Sequence, residues 1–143
     1  MSKKVIEGNV ELDELSLDEL PEFLADVEVT GNFYCNDNQL TTLKGAPRSV
    51  AYNFVCSRNR LNSLEGAPQF INGGFYCHSN QLTTLQGSPQ RVGLNFGCGY
   101  NRLTSLEGAP LFVGGDFHCY SNAVQFTEEQ VRAVCRVGGK VHV

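Results

Sequence analysis

The chain has 143 residues, of which 41% are hydrophobic and 18% are charged, with six cysteines and a formal net charge of −4. This length suits one domain, and the apolar content is sufficient for a packed core, which excludes a wholly disordered chain. The negative charge disfavours direct nucleic-acid binding. No apolar run approaches the roughly 20 residues of a membrane span, and the first residues lack the apolar segment of a secretory signal. In a secreted chain of this size, six cysteines would suggest three disulfides.

Residues 1–30 are predicted to form an acidic N-terminal cap with a degenerate repeat. Nine acidic residues and two lysines give residues 1–31 a charge of −7, whereas the remainder of the chain carries +3. Such a run either binds a basic partner or keeps an exposed end soluble, and the second interpretation is favoured. The apolar residues with the degenerate repeat spacing are Val10, Leu12, Leu15, Leu17 and Leu20.

A unit of 21 residues, F-x-C-x-x-N-x-L-x-x-L-x-G-x-P-x-x-[VI], repeats through residues 31–126 in four full copies and one partial copy. Phe and Cys stand two residues apart, so they point to the same face of an extended strand. The Gly-x-Pro segment ends regular structure. A unit this small cannot bury its own apolar side, whereas stacked neighbours can. The sequence therefore predicts a repeat solenoid of five to six coils with one short parallel strand per coil.

Three repeated positions are predicted to form ladders inside this solenoid. They are Phe33, Phe54, Phe75, Phe96 and Phe117; Cys35, Cys56, Cys77, Cys98 and Cys119; and Asn38, Asn59, Asn80, Asn101 and Asn122.

Residues 127–143 are predicted to form a C-terminal cap with a helix and a strand. Thr127 and Gln130 have the spacing of a capping box at the start of the helix. Gly138-Gly139 is expected to end the helix, and residues 141–143 are expected to add a last short strand. The helix residues expected to face inward are Val131, Val134 and Cys135.

The segment F-x-C-x-x-N-x-L resembles the leucine-rich-repeat consensus, with Phe and Cys in two leucine positions and Asn in the asparagine position. The resemblance covers residues 10–126, and the L-x-x-L-x-G-x-P segments are similar to those of short repeat proteins from tailed phages and bacteria. It implies an α/β-type, right-handed coil with a mostly irregular convex side, in a family that mostly binds proteins. It also implies that each ladder asparagine bonds to the backbone of adjacent coils. The chain departs from the consensus in its first leucine, whose apolar role moves one place back to Val50, Ile71, Val92 and Val113.

The five repeated cysteines are interpreted as small buried hydrophobic residues of a reduced cytoplasmic protein. Zinc sites need ligands that converge on one point, and a spacing of 21 instead gives a file of thiols. Stacked neighbours lie within disulfide distance, so a disulfide or metal role stays open as the alternative. Under the favoured interpretation, the sequence predicts no cofactor and no metal site.

The outward strand positions vary between copies, although the inward positions hardly do. Large residues with a polar group are typical of interface anchors, so this face is predicted to bind a partner. The alternative is that tyrosines simply suit strands. The predicted partner-binding residues are Tyr34, Val55, Arg58, Tyr76, His78, Tyr100, His118 and Tyr120.

An enzyme is not predicted, because strand alternation sends His78 and His118 outward and their neighbours Cys77 and Cys119 inward. We expect a monomer, or a weak homodimer, that binds a protein through the strand face. The resemblance suggests a phage or prophage protein that acts in the host cytoplasm and inhibits a host factor, such as a defence component. A structural or virion-associated protein and a glycan-binding surface are the alternatives.

Overall fold

The computed structural model describes residues 3–143, which form a parallel β-solenoid of about seven coils. Met1 and Ser2, the first residues of the predicted cap, lie outside the described residues. Each coil crosses two parallel sheets, and each sheet contains seven strands. At roughly 4.8 Å per strand, the rod is about 30 Å long.

The strands are short, most of them two residues long. In chain order they are β1 (Lys4–Ile6), β2 (Val10–Glu11), β3 (Val27–Val29), β4 (Phe33–Tyr34), β5 (Ser49–Val50), β6 (Phe54–Val55), β7 (Phe70–Ile71), β8 (Phe75–Tyr76), β9 (Arg91–Val92), β10 (Phe96–Gly97), β11 (Phe112–Val113), β12 (Phe117–His118), β13 (Arg136–Val137) and β14 (Val141–His142). A 3₁₀ turn spans Glu22–Leu24, and helix α1 spans Glu128–Val134.

The even-numbered strands form one sheet, in the order β14-β12-β10-β8-β6-β4-β2. We call it the phenylalanine sheet because its register places Phe75 beside Phe54 and Phe96. The odd-numbered strands form the second sheet, which we call the valine sheet. Its inward residues are Val29, Val50, Ile71, Val92, Val113 and Val137.

The core lies between the two sheets. The five phenylalanines of the repeat are fully buried, and their rings follow one another at centroid distances of 5.0–5.9 Å. The apolar turn residues of the repeats, such as Leu82 and Leu85, are also fully buried. The repeat period therefore arises because each coil places the same side chain on the equivalent side chain of its neighbour.

Two turn positions in each coil need a left-handed backbone. The second residue after each ladder cysteine has φ of 53–58°, at Asp37, Arg58, Ser79, Tyr100 and Ser121. The turn glycines also have positive φ, for example +98° at Gly66. A Cβ on Gly66 would lie 2.5 Å from the carbonyl carbon of Leu43 in the preceding coil. Glycine is thus required there both by φ and by the close approach of the coils.

The structure confirms the predicted repeat solenoid and the strand at each repeated phenylalanine. It also contains the valine sheet, which was not predicted. The strands of this sheet include the residues that take the apolar role of the first consensus leucine, Val50, Ile71, Val92 and Val113. The structure has about seven coils where five to six were expected, because both terminal regions add a strand to each sheet. The segment between Leu61 and Pro68 has turns and no helix, in agreement with the irregular side expected.

The C-terminal region contains the expected helix with a different end. Thr127 accepts a hydrogen bond from the Gln130 amide, and the Gln130 side chain accepts one from the Thr127 amide, so the capping box is confirmed. The helix ends at Val134, because residues 136–137 instead pair with β11 in the valine sheet. The predicted end at Gly138-Gly139 is therefore wrong.

The inward face predicted for helix α1 is only partly correct. Val131 and Cys135 are buried, whereas Val134 is 47% exposed. The helix has only seven residues and packs on one end of the rod. Its contact with the rod buries Val131 and Cys135, which are four residues apart, and leaves Val134 exposed to solvent. No helix within residues 3–143 has the length and apolar character needed to cross a membrane.

Candidate functional site

The outer side of the phenylalanine sheet, which we call the strand face, carries all the predicted partner-binding residues. None of these eight side chains is buried. They do not form one continuous group, since the face divides into an acidic end and an aromatic end. Tyr34 belongs to the first, and Tyr76 to the second.

A notch of about 230 Å³ opens in the aromatic end of the strand face. Its walls are the side chains of two coils, Tyr76 with His78 on one side and His118 with Tyr120 on the other. The coil between these walls contributes two glycines to the lining. We define the notch by Tyr76, His78, Gly97, Gly99, His118 and Tyr120.

The notch exists because the middle coil has glycine at two outward positions, Gly97 and Gly99. A Cβ on Gly97 would come no nearer than 3.4 Å to another coil, at the Tyr76 ring. A Cβ on Gly99 would lie 3.0 Å from the Tyr120 ring. Neither glycine has a positive φ, so these positions do not need glycine for backbone conformation. The glycines instead determine the shape of the surface.

The far wall of the notch is a packed aromatic group. The Tyr120 ring makes edge-to-face contacts with Tyr100, at a centroid distance of 5.5 Å, and with His118, at 5.9 Å. Such contacts hold the rings in fixed relative orientation. The structure therefore brings together five of the eight predicted residues, since Tyr76 and His78 face this group across the glycines.

The other predicted residues lie closer to the N-terminal end. Tyr34 lines a shallow depression of about 360 Å³ with Glu11, Asp13 and two asparagines. Val55 lies between the two ends of the face, in register with Tyr34 and Tyr76. The two ends thus differ in charge and in chemistry.

Arg58 makes an ion pair across coils with Asp37, with Nε 2.6 Å from Oδ1. The hydrogen bond from Arg58, followed by the one from Asn36, lowers the pKa of the Asp37 carboxyl. Partial burial, with the positive charge of Arg58 as the second cause, lowers the pKa of His78. The lowered pKa favours the neutral form of the His78 imidazole in the wall of the notch.

The ladder asparagines hold the edge of the phenylalanine sheet together. Asn80 Nδ2 donates to the carbonyls of Cys77 in its own coil and Cys56 in the preceding coil, at 3.0 and 3.1 Å. Its Oδ1 accepts from the Leu61 amide at 3.0 Å. The equivalent bonds recur at Asn38, Asn59, Asn101 and Asn122, as the resemblance to leucine-rich repeats implied.

All six cysteines are free and buried. Burial raises the pKa of each thiol, to about 11 for Cys119 and Cys135. The Cys77 thiol donates to the Gly97 carbonyl at 3.3 Å, on the inner side of the strand. His78 lies on the outer side, so these neighbours in sequence do not form a Cys–His pair.

Three side chains at the C-terminal end of the strand face could hold a metal ion, although none was predicted. Their ligand atoms, from Asp116, His118 and His142, all lie within 4.8 Å of one another. The His118 and His142 rings are stacked at 4.3 Å. Sequence reasoning missed this cluster because His142 follows His118 by 24 residues instead of 21, with helix α1 between them. The equivalence of these positions appears only in the register of β12 and β14.

Larger depressions, of about 440 and 460 Å³, lie at the N-terminal end of the turn side. The first is lined mostly by residues of the G-x-P turns, including Pro47 and Pro68, which recur in each repeat. The second is lined by residues of the N-terminal region, such as Leu20 and Glu22, and by the turn at Gly45. The notch differs from them because its side chains change from coil to coil. For this reason we regard the notch as the better candidate site.

Comparisons with protein families, with curated proteins and with solved structures found no match to the chain.

Proposed function

We propose that the protein is a non-catalytic module that binds another protein through its strand face, with the notch as the anchor site. The observation that carries the proposal is the notch itself, where aromatic and imidazole walls flank Gly97 and Gly99. Interfaces commonly place one large side chain of a partner in such a pocket.

The size of the notch favours a macromolecule over a small molecule. Sites that enclose a small molecule usually measure roughly 300–1,000 Å³, whereas the notch measures about 230 Å³. A single side chain from a partner matches this volume. Tyrosine rings in the walls accept either a flat aromatic ring or a guanidinium group, so we propose an anchor of one of these two types.

The scaffold supports binding because it presents the walls without a large loss of conformational freedom. Tyr76 and His118 are strand residues, and Tyr120 packs against both Tyr100 and His118. A side chain that is already ordered loses less entropy when a partner binds.

The experiment compares capture of a partner from a lysate by the wild-type chain and by Tyr76→Ala/Tyr100→Ala. We expect one stoichiometric partner, which the double variant loses while it stays folded, with only a small fall in its thermal midpoint. The matched control is Tyr52→Ala, since Tyr52 is 60% exposed and lies outside the strand face. Retention of the partner by the double variant, or its loss from the control, would show that another surface binds it.

A narrower hypothesis concerns the identity of the partner. The resemblance of the repeats to short phage proteins suggests a phage or prophage protein that inhibits a host factor. Genome neighbourhood is the least expensive test, and a glycan array separates the sugar-binding alternative. A captured protein encoded by the same phage would instead support the structural or virion-associated alternative.

A further inference from the structure

The last two strands of the phenylalanine sheet place three metal-binding side chains on one surface. Strands β12 and β14 are parallel neighbours, with His118 opposite His142. Asp116 lies two residues before His118 and is therefore on the same side of the chain. The side chains of Asp116 and His142 are 35% and 40% exposed, so an ion can reach them. We propose that Asp116, His118 and His142 bind a divalent transition metal ion of the zinc class.

The distances fit the coordination of zinc. His142 Nε2 lies 3.2 Å from Asp116 Oδ2. Two ligands in a tetrahedral zinc site, each bonded at about 2.0–2.1 Å, lie about 3.3 Å apart. These two atoms therefore already have the separation of two ligands of one ion. In the metal-free chain, the Nε2–H of His142 donates to the Asp116 carboxylate. When zinc binds Nε2, the neutral ring carries its proton on Nδ1 instead.

Asp116 occupies a position that asparagine fills in other repeats. The residue before the phenylalanine is Asn32, Asn53 and Asn95 in the first, second and fourth copies, and the side-chain oxygen of each accepts from a backbone amide of the next coil at 2.7–2.8 Å. Asp116 Oδ1 does the same, accepting from the Lys140 amide at 2.9 Å.

An amide side chain is thus sufficient for the role that this position has in the scaffold. The carboxylate of Asp116 has a second oxygen, Oδ2, which faces His142 in the next coil. The equivalent positions of the other repeats lack this oxygen. In the metal-free chain it pairs with His142 Nε2, and it is available as a metal ligand.

His118 completes the set when one imidazole ring turns. The two rings are nearly parallel, with an interplanar angle of 7°, so their nitrogen lone pairs do not yet meet at one point. Both side chains are partly exposed, and rotation about the Cβ–Cγ bond brings the nitrogens together. Two imidazoles and one carboxylate favour zinc and its neighbours over magnesium. Three protein ligands leave a fourth position for water or for a ligand from a partner.

This site is independent of the proposed function, although His118 also lines the notch. Metal binding is measured on the chain alone, so failure to find a partner does not affect the result. Likewise, a strand face that binds a protein without metal leaves the first proposal intact.

The test is calorimetric titration of the full chain, without an affinity tag, with zinc chloride at pH 7.5 in a non-thiol reductant. We expect one zinc ion per chain. Asp116→Asn is the sharpest variant, because it restores the residue of the other repeats and keeps the Oδ1 hydrogen bond. It and His142→Asn should each weaken binding about tenfold or more. The matched control is His78→Asn, a histidine of the same face outside the cluster, which should bind zinc as the wild type does.

Cobalt(II) provides a second measurement that separates this site from the cysteines. The proposal predicts visible absorption bands of cobalt bound to nitrogen and oxygen, without the charge-transfer band of a cobalt–thiolate bond. Absence of saturable zinc binding, unchanged affinity in Asp116→Asn and His142→Asn, or a thiolate band would each overturn the proposal.

Discussion

The inward and outward sides of the phenylalanine sheet come from alternate residues of the same short strands. The inward residues are the same in every copy of the repeat, whereas the outward residues differ from copy to copy. The inward residues next to each other are Phe and Cys in all five copies. The outward residue between them is Tyr34, Val55, Tyr76, Gly97 or His118. Inside, each ring rests on an identical ring at 5.0–5.9 Å, so a different side chain would disturb two neighbours. Outside, no such constraint applies.

The difference separates the side of the sheet that stabilises the fold from the side that we propose binds a partner. The ladders repeat the same residue in every copy of the repeat, whereas the residues of the strand face change from coil to coil. The strand face also contains the notch and the His118–His142 pair. Substitutions on the two sides should therefore separate stability from binding.

The largest expected effect comes from Phe75→Ala. It removes a fully buried ring between two stacked neighbours, and we expect the free energy of unfolding to fall by about 3–5 kcal/mol in urea denaturation. Tyr76→Ala, one residue along on the outer side, should cost about 1 kcal/mol or less. Equal losses in the two variants would contradict the separation of the two sides.

Asn80→Ala should be the next most damaging. It leaves the Leu61 amide without its partner in a buried ladder and removes one of the two side-chain donors to the Cys56 carbonyl, which keeps Asn59, at a cost of about 1–3 kcal/mol. Gln81→Ala, at the exposed adjacent residue, should change stability by no more than about 0.5 kcal/mol in the same urea experiment. A neutral Asn80→Ala would mean that water replaces the ladder bonds.

The buried thiols should make the fold sensitive to alkali. Burial raises the pKa of Cys119 and Cys135 from 9.0 to about 11. As pH rises, these thiols lose their protons in the unfolded chain before they do so in the folded chain. The stability that the two buried thiols contribute is therefore fully present below pH 9 and is lost as pH rises through about 11. In Cys119→Ala/Cys135→Ala, the fall in unfolding free energy should be shallower by about 1.4 kcal/mol per pH unit for each thiol removed. Parallel curves for the two proteins would show that the thiols do not titrate on unfolding.

Arg58→Ala should have the smallest effect on stability. The Asp37–Arg58 pair lies on the strand face, with side chains 26% and 58% exposed, and exposed pairs contribute about 1 kcal/mol or less. The loss should shrink in high salt because screening already weakens the pair in the wild type. Arg60→Ala serves as the control at an exposed residue of the same coil. A loss as large as that of Phe75→Ala, or one that salt leaves unchanged, would place the pair among the structural contacts.

The sequence predicts the phenylalanine sheet well, because the Phe-x-Cys alternation recurs without a slip at every 21 residues. It does not predict the valine sheet, since strands of two residues such as β9 are too short for any periodicity to show. The left-handed φ at Arg58 and Tyr100 is likewise invisible in the sequence. It is fixed by bonds between coils, as where the Tyr100 amide donates to the Tyr120 carbonyl at 3.1 Å.

For the candidate site, sequence alternation finds which residues face outward but not which of them meet. Tyr76 and His118 become opposite walls only because Gly97 leaves the space between them empty. An outward glycine has no side chain that could bind a partner, so the sequence does not reveal its contribution to the shape of the surface. The pairing of His118 with His142 in the proposed metal site is missed for another reason, which is that helix α1 breaks the 21-residue period.

If the notch of the strand face binds the partner, as we propose, Gly97→Val should abolish capture. Valine already occupies the equivalent position at Val55, and the nearest atom to the added Cβ is a Tyr76 ring carbon at 3.4 Å. The variant should therefore fold with the thermal midpoint of the wild type while its side chain fills the notch. We expect this variant to lose the stoichiometric partner in the capture experiment. Capture equal to that of the wild type would contradict the proposal.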